Sequence, residues 1–140
     1  SAIAMWLSMT NPDKKLMPTD PEGIVRTIEM LDFIVGTVHM LSWRMWRRPD
    51  AYSDDPAGQE LLRMRGKASM LDALDLVDTQ LTDKDYLMGN FSVADAALYY
   101  NEFWAVDVAG WNLPKNVQDH YERMKTRPSV QASREIEGVI

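Results

Sequence analysis

The sequence predicts an all-α protein. Three observations carry that expectation. No run of alternating β-branched residues with a hairpin turn occurs, apolar residues recur at helical spacing along the chain, and prolines and glycines separate the periodic stretches. At 140 residues the chain is long enough to bury one core.

The elements follow in order. Residues 1–9, within SAIAMWLSM, form an apolar, uncharged helix without the basic lead-in or cleavage site of a signal peptide. Its abrupt start, with no methionine and no cap, is expected of a piece cut from a longer chain; a tag remnant at Ser1 is the alternative. Residues 10–20 are a linker, because the stretch Thr10 to Gly23 carries three prolines. Residues 21–140 form the helical domain. Asp20 caps and Pro21 opens a long helix that runs to about Arg47 and stops before Pro49. After the loop DAYSDDPAG, a second helix spans about Ala57 to Thr79, with Leu61, Met64, Ala68, Leu71 and Leu74 on one face. Gly66 marks a bend or a close helix contact within it. A third helix runs from Val93 to about Val108 and ends at Gly110. A fourth runs from Pro114 to about Lys125, with Val117, Tyr121 and Met124 one turn apart. Arg127–Pro128 breaks it and opens a short last helix to about Glu137. The sum is a bundle of about five helices behind an N-terminal stub.

Composition narrows the function. A net charge of −6 argues against nucleic acid or an anionic membrane as the main partner. No stretch reaches the roughly 18–20 apolar residues of a membrane span. The absence of cysteine excludes disulfides, thiolate metal sites and a cysteine nucleophile, and suits a cytoplasmic location. No metal site is expected.

Ser92 and Asp95, in GNFSVADAALYY, have the spacing of a capping box, with each side chain accepting the other residue's backbone N–H. Phe91 can staple against the first turn, where Ala96 is its partner position. A nucleophilic Ser92 would need a base that no nearby histidine supplies. Along the long helix, at about 100° per residue, Ile24, Leu31, Ile34, Val38, Leu41 and Met45 form a core face. Asp32, Gly36, His39 and Trp43 form a second stripe about 60° wide. That stripe reads either as packing around a structural histidine or as a wall facing a ligand, with Gly36 leaving room and Trp43 stacking. His120, among polar neighbours on an amphipathic helix, reads as solvated surface. The ten methionines suit a deformable core or a promiscuous pocket.

YLMGNFSVADAALY resembles the start of the sixth helix of the glutathione transferase C-terminal domain, where a G-x-x-[ST]-x-A-D run supplies a cap and staple. Gly89, Ser92, Ala94 and Asp95 match that run. AIAMWL is similar to the last helix of the family's thioredoxin-like domain, LMPTDP to its linker, and ERMKTRPSVQAS to its R-P-x-V closing segment. The resemblance thus covers essentially the whole chain. DFIVGTVHMLSWRMWRRPD is similar to the matching helix of the bacterial beta class, which directs a histidine at the glutathione thiol; His39 stands there, and Met40 stands where the class often has a lysine.

The resemblance implies a glutathione transferase C-terminal-like bundle behind the last helix of a thioredoxin-like domain. Glutathione would be the co-substrate, bound mainly by that other domain, which also carries the thiol-activating residue; residues 1–140 alone would lack it. His39 would contact the thiolate, and His39, Trp43, Trp46 and Trp104 would form the wall for an apolar electrophile. Plain core packing is the competing reading for Trp104. Asp32 matches a position that reaches glutathione across a dimer, so a homodimer is implied. The alternatives are a non-catalytic interaction module and a carrier of apolar ligands.

Overall fold

Two Asp–Pro pairs fix the starts of the two longest helical runs. Asp20 accepts the Gly23 N–H at 2.9 Å and Asp55 accepts the Gly58 N–H at 2.8 Å. In each case the next residue is a proline in the first turn, where no N–H is needed. The computed structural model describes residues 1–139. Its elements run α1 (Ala2–Thr10), α2 (Pro21–Phe33), a first π-helical segment (Ile34–Trp43), α3 (Arg44–Arg47), α4 (Pro56–Gln80), α5 (Val93–Phe103), a second π-helical segment (Trp104–Val108), α6 (Lys115–Lys125) and α7 (Pro128–Glu137). Short 3₁₀ turns lie at Pro12–Lys14 and Pro49–Ala51. No strand forms among the described residues; a lone bridge joins Met88 and Asn90. The fold is all-α, and five helical runs follow α1 when each π segment is counted with its α-helical neighbours.

The main core lies where α2, the first π segment, α4, α5 and α6 converge. Leu31, Ile34, Val38, Met70, Leu74, Val77, Leu98 and Val117 are all buried there. A smaller cluster of Tyr99, Tyr121, Met124 and Val130 joins α5, α6 and α7. Tyr99 and Tyr121 stack with centroids 5.6 Å apart, and Arg134 of α7 donates to Asp107 at 3.0 Å and to the Tyr99 hydroxyl at 3.1 Å. The N-terminus of α6 has no cap of its own. Asp78, at the far end of α4, accepts the backbone N–H of Asn116 at 2.6 Å and of Val117 at 3.2 Å. A carboxylate there satisfies orphan donors and favours the helix dipole.

Both apolar faces expected from helical periodicity need correction. On the long run, Leu31, Ile34 and Val38 are buried, but Leu41 is 52% exposed and Met45 only half-buried. The cause is the first π segment. Its hydrogen bonds reach back five residues, as from Arg44 N–H to the His39 carbonyl, so each turn takes in more residues than an α-turn. The phase slips, and Ser42 and Trp43 turn inward in place of Leu41 and Met45. On α4, Leu61, Met64 and Ala68 are exposed, Leu71 is half-buried, and only Leu74 of the expected face is fully buried. The core side is Gly66, Met70, Ala73, Leu74 and Val77. Apolar residues lie on more than one side of α4, so spacing alone does not choose between them.

Gly66 makes the choice. A Cβ there would lie 2.6 Å from the Trp46 backbone nitrogen and 2.8 Å from the Ser42 carbonyl oxygen. The backbones of α4 and of the long run therefore touch, and the Ser42 and Ser69 hydroxyls meet beside them at 2.8 Å. Gly66→Ala should lower stability by about 1–3 kcal/mol through overpacking, although alanine is favoured by about 1 kcal/mol in a free helix. Urea denaturation followed by circular dichroism measures this; an unchanged midpoint would mean that the contact yields.

Candidate functional site

The two π-helical segments meet at a cluster of aromatic rings. The first carries His39 and Trp43, the second begins with Trp104, α3 supplies Trp46, and the loop before α6 supplies Trp111. In the second segment, too, a hydrogen bond spans five residues, from Ala109 N–H to the Trp104 carbonyl at 2.9 Å. Widened turns on facing helices thus aim large side chains at a common space.

The His39 ring lies against Trp104 with centroids 4.8 Å apart. Trp43 stacks on Trp104 at 5.4 Å with planes 10° apart. Trp46 lies 4.9 Å from Trp43 and stands edge-on to Trp111 at 5.0 Å. Each such contact contributes about 0.5–1.5 kcal/mol beyond area burial. Trp43 and Trp111 are buried, at 6% and 7% exposure, and form the base of the cluster. His39, Trp46 and Trp104 are half-buried; Met40, next to His39 in the sequence, and Tyr100 are exposed. Nothing lies within 4 Å of the position a Cβ would take on Gly36. Burial, with no charged partner, holds His39 below the ordinary histidine value of 6.5, so its imidazole is neutral at pH 7.

The structure therefore brings together four residues singled out from the sequence, namely His39, Trp43, Trp46 and Trp104. Trp111 and Tyr100 were missed. Trp111 sits in a loop, where no helical stripe can flag it, yet it touches both Trp43 and Trp46. Tyr100 is one turn before Trp104 and meets its ring edge at 5.9 Å. Asp32 lies outside the cluster; it is exposed and accepts the Ser1 hydroxyl hydrogen at 2.8 Å. A separate groove between the linker and the α2/α4 side is lined by Met17, Met30, Phe33, Leu87 and Arg127, and by none of the clustered rings.

Ser92 and Asp95 form a reciprocal capping box at the start of α5. Asp95 Oδ2 accepts the Ser92 N–H at 2.7 Å and the Ser92 hydroxyl at 2.9 Å, and Ser92 Oγ accepts the Ala94 N–H at 3.3 Å. Phe91 does not staple to Ala96, which is exposed; it packs edge-on to Tyr86 at 5.8 Å beneath the Arg127 guanidinium. Asp95 Oδ1 accepts the Leu87 N–H at 2.8 Å and faces His120 Nε2 at 3.2 Å.

His120 is not solvated surface. It is fully buried, with Nδ1 2.7 Å from Glu102 Oε1, and all three groups have no exposure. The polar sequence around His120 describes the outer face of α6, and the histidine is on the inner one. Burial pushes Glu102 up to about 7, against the lowering effect of His120. Burial pushes His120 down, but Asp95 and Glu102 outweigh it and raise the ring to about 9. Ser92→Ala should cost about 0.5–2 kcal/mol, the usual loss of a cap. Asp95→Ala should cost more, about 3–5 kcal/mol, because it strips a partner from a buried cation. Urea denaturation at pH 7 compares the two; equal costs would remove the His120 contact from the account.

No family model and no curated protein matches the chain. Solved structures do. A glutathione S-transferase from Xylella fastidiosa superposes with a TM-score of 0.88 at 25% identity, over 99% of this chain and 69% of that one. A glutathione transferase homologue from Sulfitobacter, with bound glutathione, gives 0.85 at 22%, over 99% and 67%. A sphingomonad glutathione S-transferase complexed with glutathione gives 0.79 at 23%, over 99% and 67%. The chain thus matches almost end to end a part amounting to about two thirds of each. With its aromatic cluster and its capped α5, it has the fold of the helical C-terminal domain of glutathione transferases.

Proposed function

We propose that the chain is the helical half of a glutathione transferase, forming the wall that receives an apolar electrophile for conjugation to glutathione. The observation that carries this reading is His39, a neutral imidazole without a charged partner, set against Trp104 in a ring cluster where Trp43 and Trp111 are buried and His39, Trp46 and Trp104 keep partial exposure. A structural histidine would be satisfied by a partner, as His120 is. An apolar wall with few polar groups is the usual form of a small-molecule site.

The chemistry is thiolate addition or displacement. The glutathione thiolate attacks an electrophilic carbon, a sulfur–carbon bond forms, and a leaving group, where there is one, departs with its electron pair. Neutral His39 donates an N–H to the thiolate and holds it without titrating at neutral pH. Trp104 and Trp46, backed by Trp43, stack on the electrophile and exclude water. Met40 adds apolar surface and no charge beside that site. Asp32, exposed on α2, is assigned to glutathione bound by a second subunit, so the working form is a homodimer. The thiol-activating residue belongs to a thioredoxin-like domain, whose last helix is α1.

A non-catalytic docking role is the second reading. It draws on α1, where Ile3, Trp6 and Met9 are all more than 60% exposed. A thioredoxin-like domain packed on α1 would cover the same residues, so this surface fits both.

In the chain joined to its thioredoxin-like domain, His39→Ala should lower kcat/KM for a model electrophile by about 10²-fold or more, the usual effect of removing one donor to a reacting anion. Trp104→Ala should raise KM for bulky apolar electrophiles with little change for glutathione. Steady-state assays varying each substrate separate the two effects. Full activity in both variants would move the site elsewhere, and stable capture of a macromolecule with no glutathione binding would favour the docking role.

A further inference from the structure

The Glu102–His120–Asp95 triad is the buried charge cluster that conjugation leaves unused. Each ring nitrogen of His120 faces one carboxylate oxygen, at 2.7 Å to Glu102 and 3.2 Å to Asp95. A neutral imidazole has one N–H and can donate to one of them only. Both contacts are hydrogen bonds only when the ring is an imidazolium or a carboxyl carries the proton. Asp95 has no room for one, since backbone and hydroxyl donors from Leu87 and Ser92 already occupy both of its oxygens. A proton on Glu102 would serve only from Oε1, donated to His120 Nδ1; the Oε2 of Glu102 is buried and makes no hydrogen bond.

The surrounding charges are engaged elsewhere. The Tyr86 ring stands edge-on to His120 at 6.2 Å, and Arg123 and Arg127 lie over that ring. Arg123 pairs with Asp85, Asp78 of α4 holds the α6 backbone, and Arg134 of α7 holds Asp107. On α6 itself, Lys115 pairs with Asp119 and Lys125 with Glu122, at the surface. Among the described residues, no cation other than His120 pairs with either buried carboxylate.

We propose that the triad is a proton-dependent clasp: it docks α6 on α5 while His120 carries its second proton, and it loosens α6 when mildly alkaline pH removes that proton. The loss would leave two carboxylates facing one N–H in the core. It would also reach the ring cluster. Trp111 lies four residues before α6 and donates its backbone N–H to the Ala105 carbonyl at 2.8 Å. The clasp does not depend on the conjugation reading.

The sign follows from linkage. The unfolded chain releases the His120 proton near the ordinary 6.5, and the folded chain keeps it to about 9. The contribution is therefore whole below about 6.5 and is lost as pH rises to about 9. Glu102, raised from 4.5 to about 7, acts in the same direction over a lower range.

The test uses the 140-residue chain. Urea unfolding, read by circular dichroism and by tryptophan fluorescence, is measured at steps between about pH 6 and pH 9.5 for the native sequence, His120→Gln and Glu102→Gln. The native folding constant should fall about tenfold or more between pH 6.5 and pH 9. His120→Gln should be weaker at pH 6.5 and lose the His120 part of the slope, keeping that of Glu102, whose carboxyl burial still raises; Glu102→Gln should lose the Glu102 part and keep that of His120, whose ring Asp95 still raises. Because the chain has only two histidines, proton NMR titration reads both without any variant. One ring, His39, should titrate below 6.5 and the other well above it. A native stability that is level or rising over this range, or two histidines that both titrate at or below 6.5, would overturn the proposal.

Discussion

Four hydrogen bonds converge on the buried carboxylate of Asp95, from Leu87 N–H, Ser92 N–H, the Ser92 hydroxyl and the His120 ring. They come from three separate parts of the chain. Leu87 belongs to the connection that follows α4, Ser92 is the cap of α5, and His120 is on the inner face of α6. One side chain thus fixes the direction of a loop, the start of a helix and the seat of a neighbour. The linker is drawn in as well, since Val93 N–H donates to the Leu16 carbonyl at 2.8 Å beside the cap. A buried charge is costly unless every lone pair is used, and here that cost enforces one arrangement of the elements around it. The ring cluster depends on this frame, because Trp104 follows directly from α5 and Trp111 leads into α6.

The helices were legible because their boundaries are chemical. Asp20–Pro21, Asp55–Pro56, the Ser92 cap and Arg127–Pro128 each act through local hydrogen bonding or a missing N–H, which a single sequence displays. The buried faces were less legible. A stripe drawn at a fixed angle per residue assumes α-helix throughout, and ten residues of the long run are not α-helical. On α4 the decisive fact is a backbone contact at Gly66, which no periodicity encodes.

The ring cluster was partly legible for the opposite reason. Trp43, Trp46 and Trp104 stand out by size and rarity wherever the helix turns, whereas Trp111 is anchored by a loop. His39 and His120 show the limits of neighbourhood as a guide. His39 lies among apolar residues yet keeps partial exposure and no charged partner, while His120 lies among polar residues yet is sealed between two acids. Polar flanks report the outer face of a helix; the partner of an inward residue comes from 18 and 25 positions away.

The first π-helical segment also makes residue count a geometric variable. Helical hydrogen bonding continues unbroken from α2 through this segment into α3, so its extra residues are absorbed as rotation, without any loop or kink. Removing one residue between 34 and 43 would leave the helix continuous and turn everything after it by about 100°. Trp46 would swing away from Trp111, and the Gly66 contact would face a side chain in place of bare backbone. The ring cluster is therefore tuned by helix length as much as by residue identity, and insertions or deletions in this one segment would reshape it more than most substitutions on its surface.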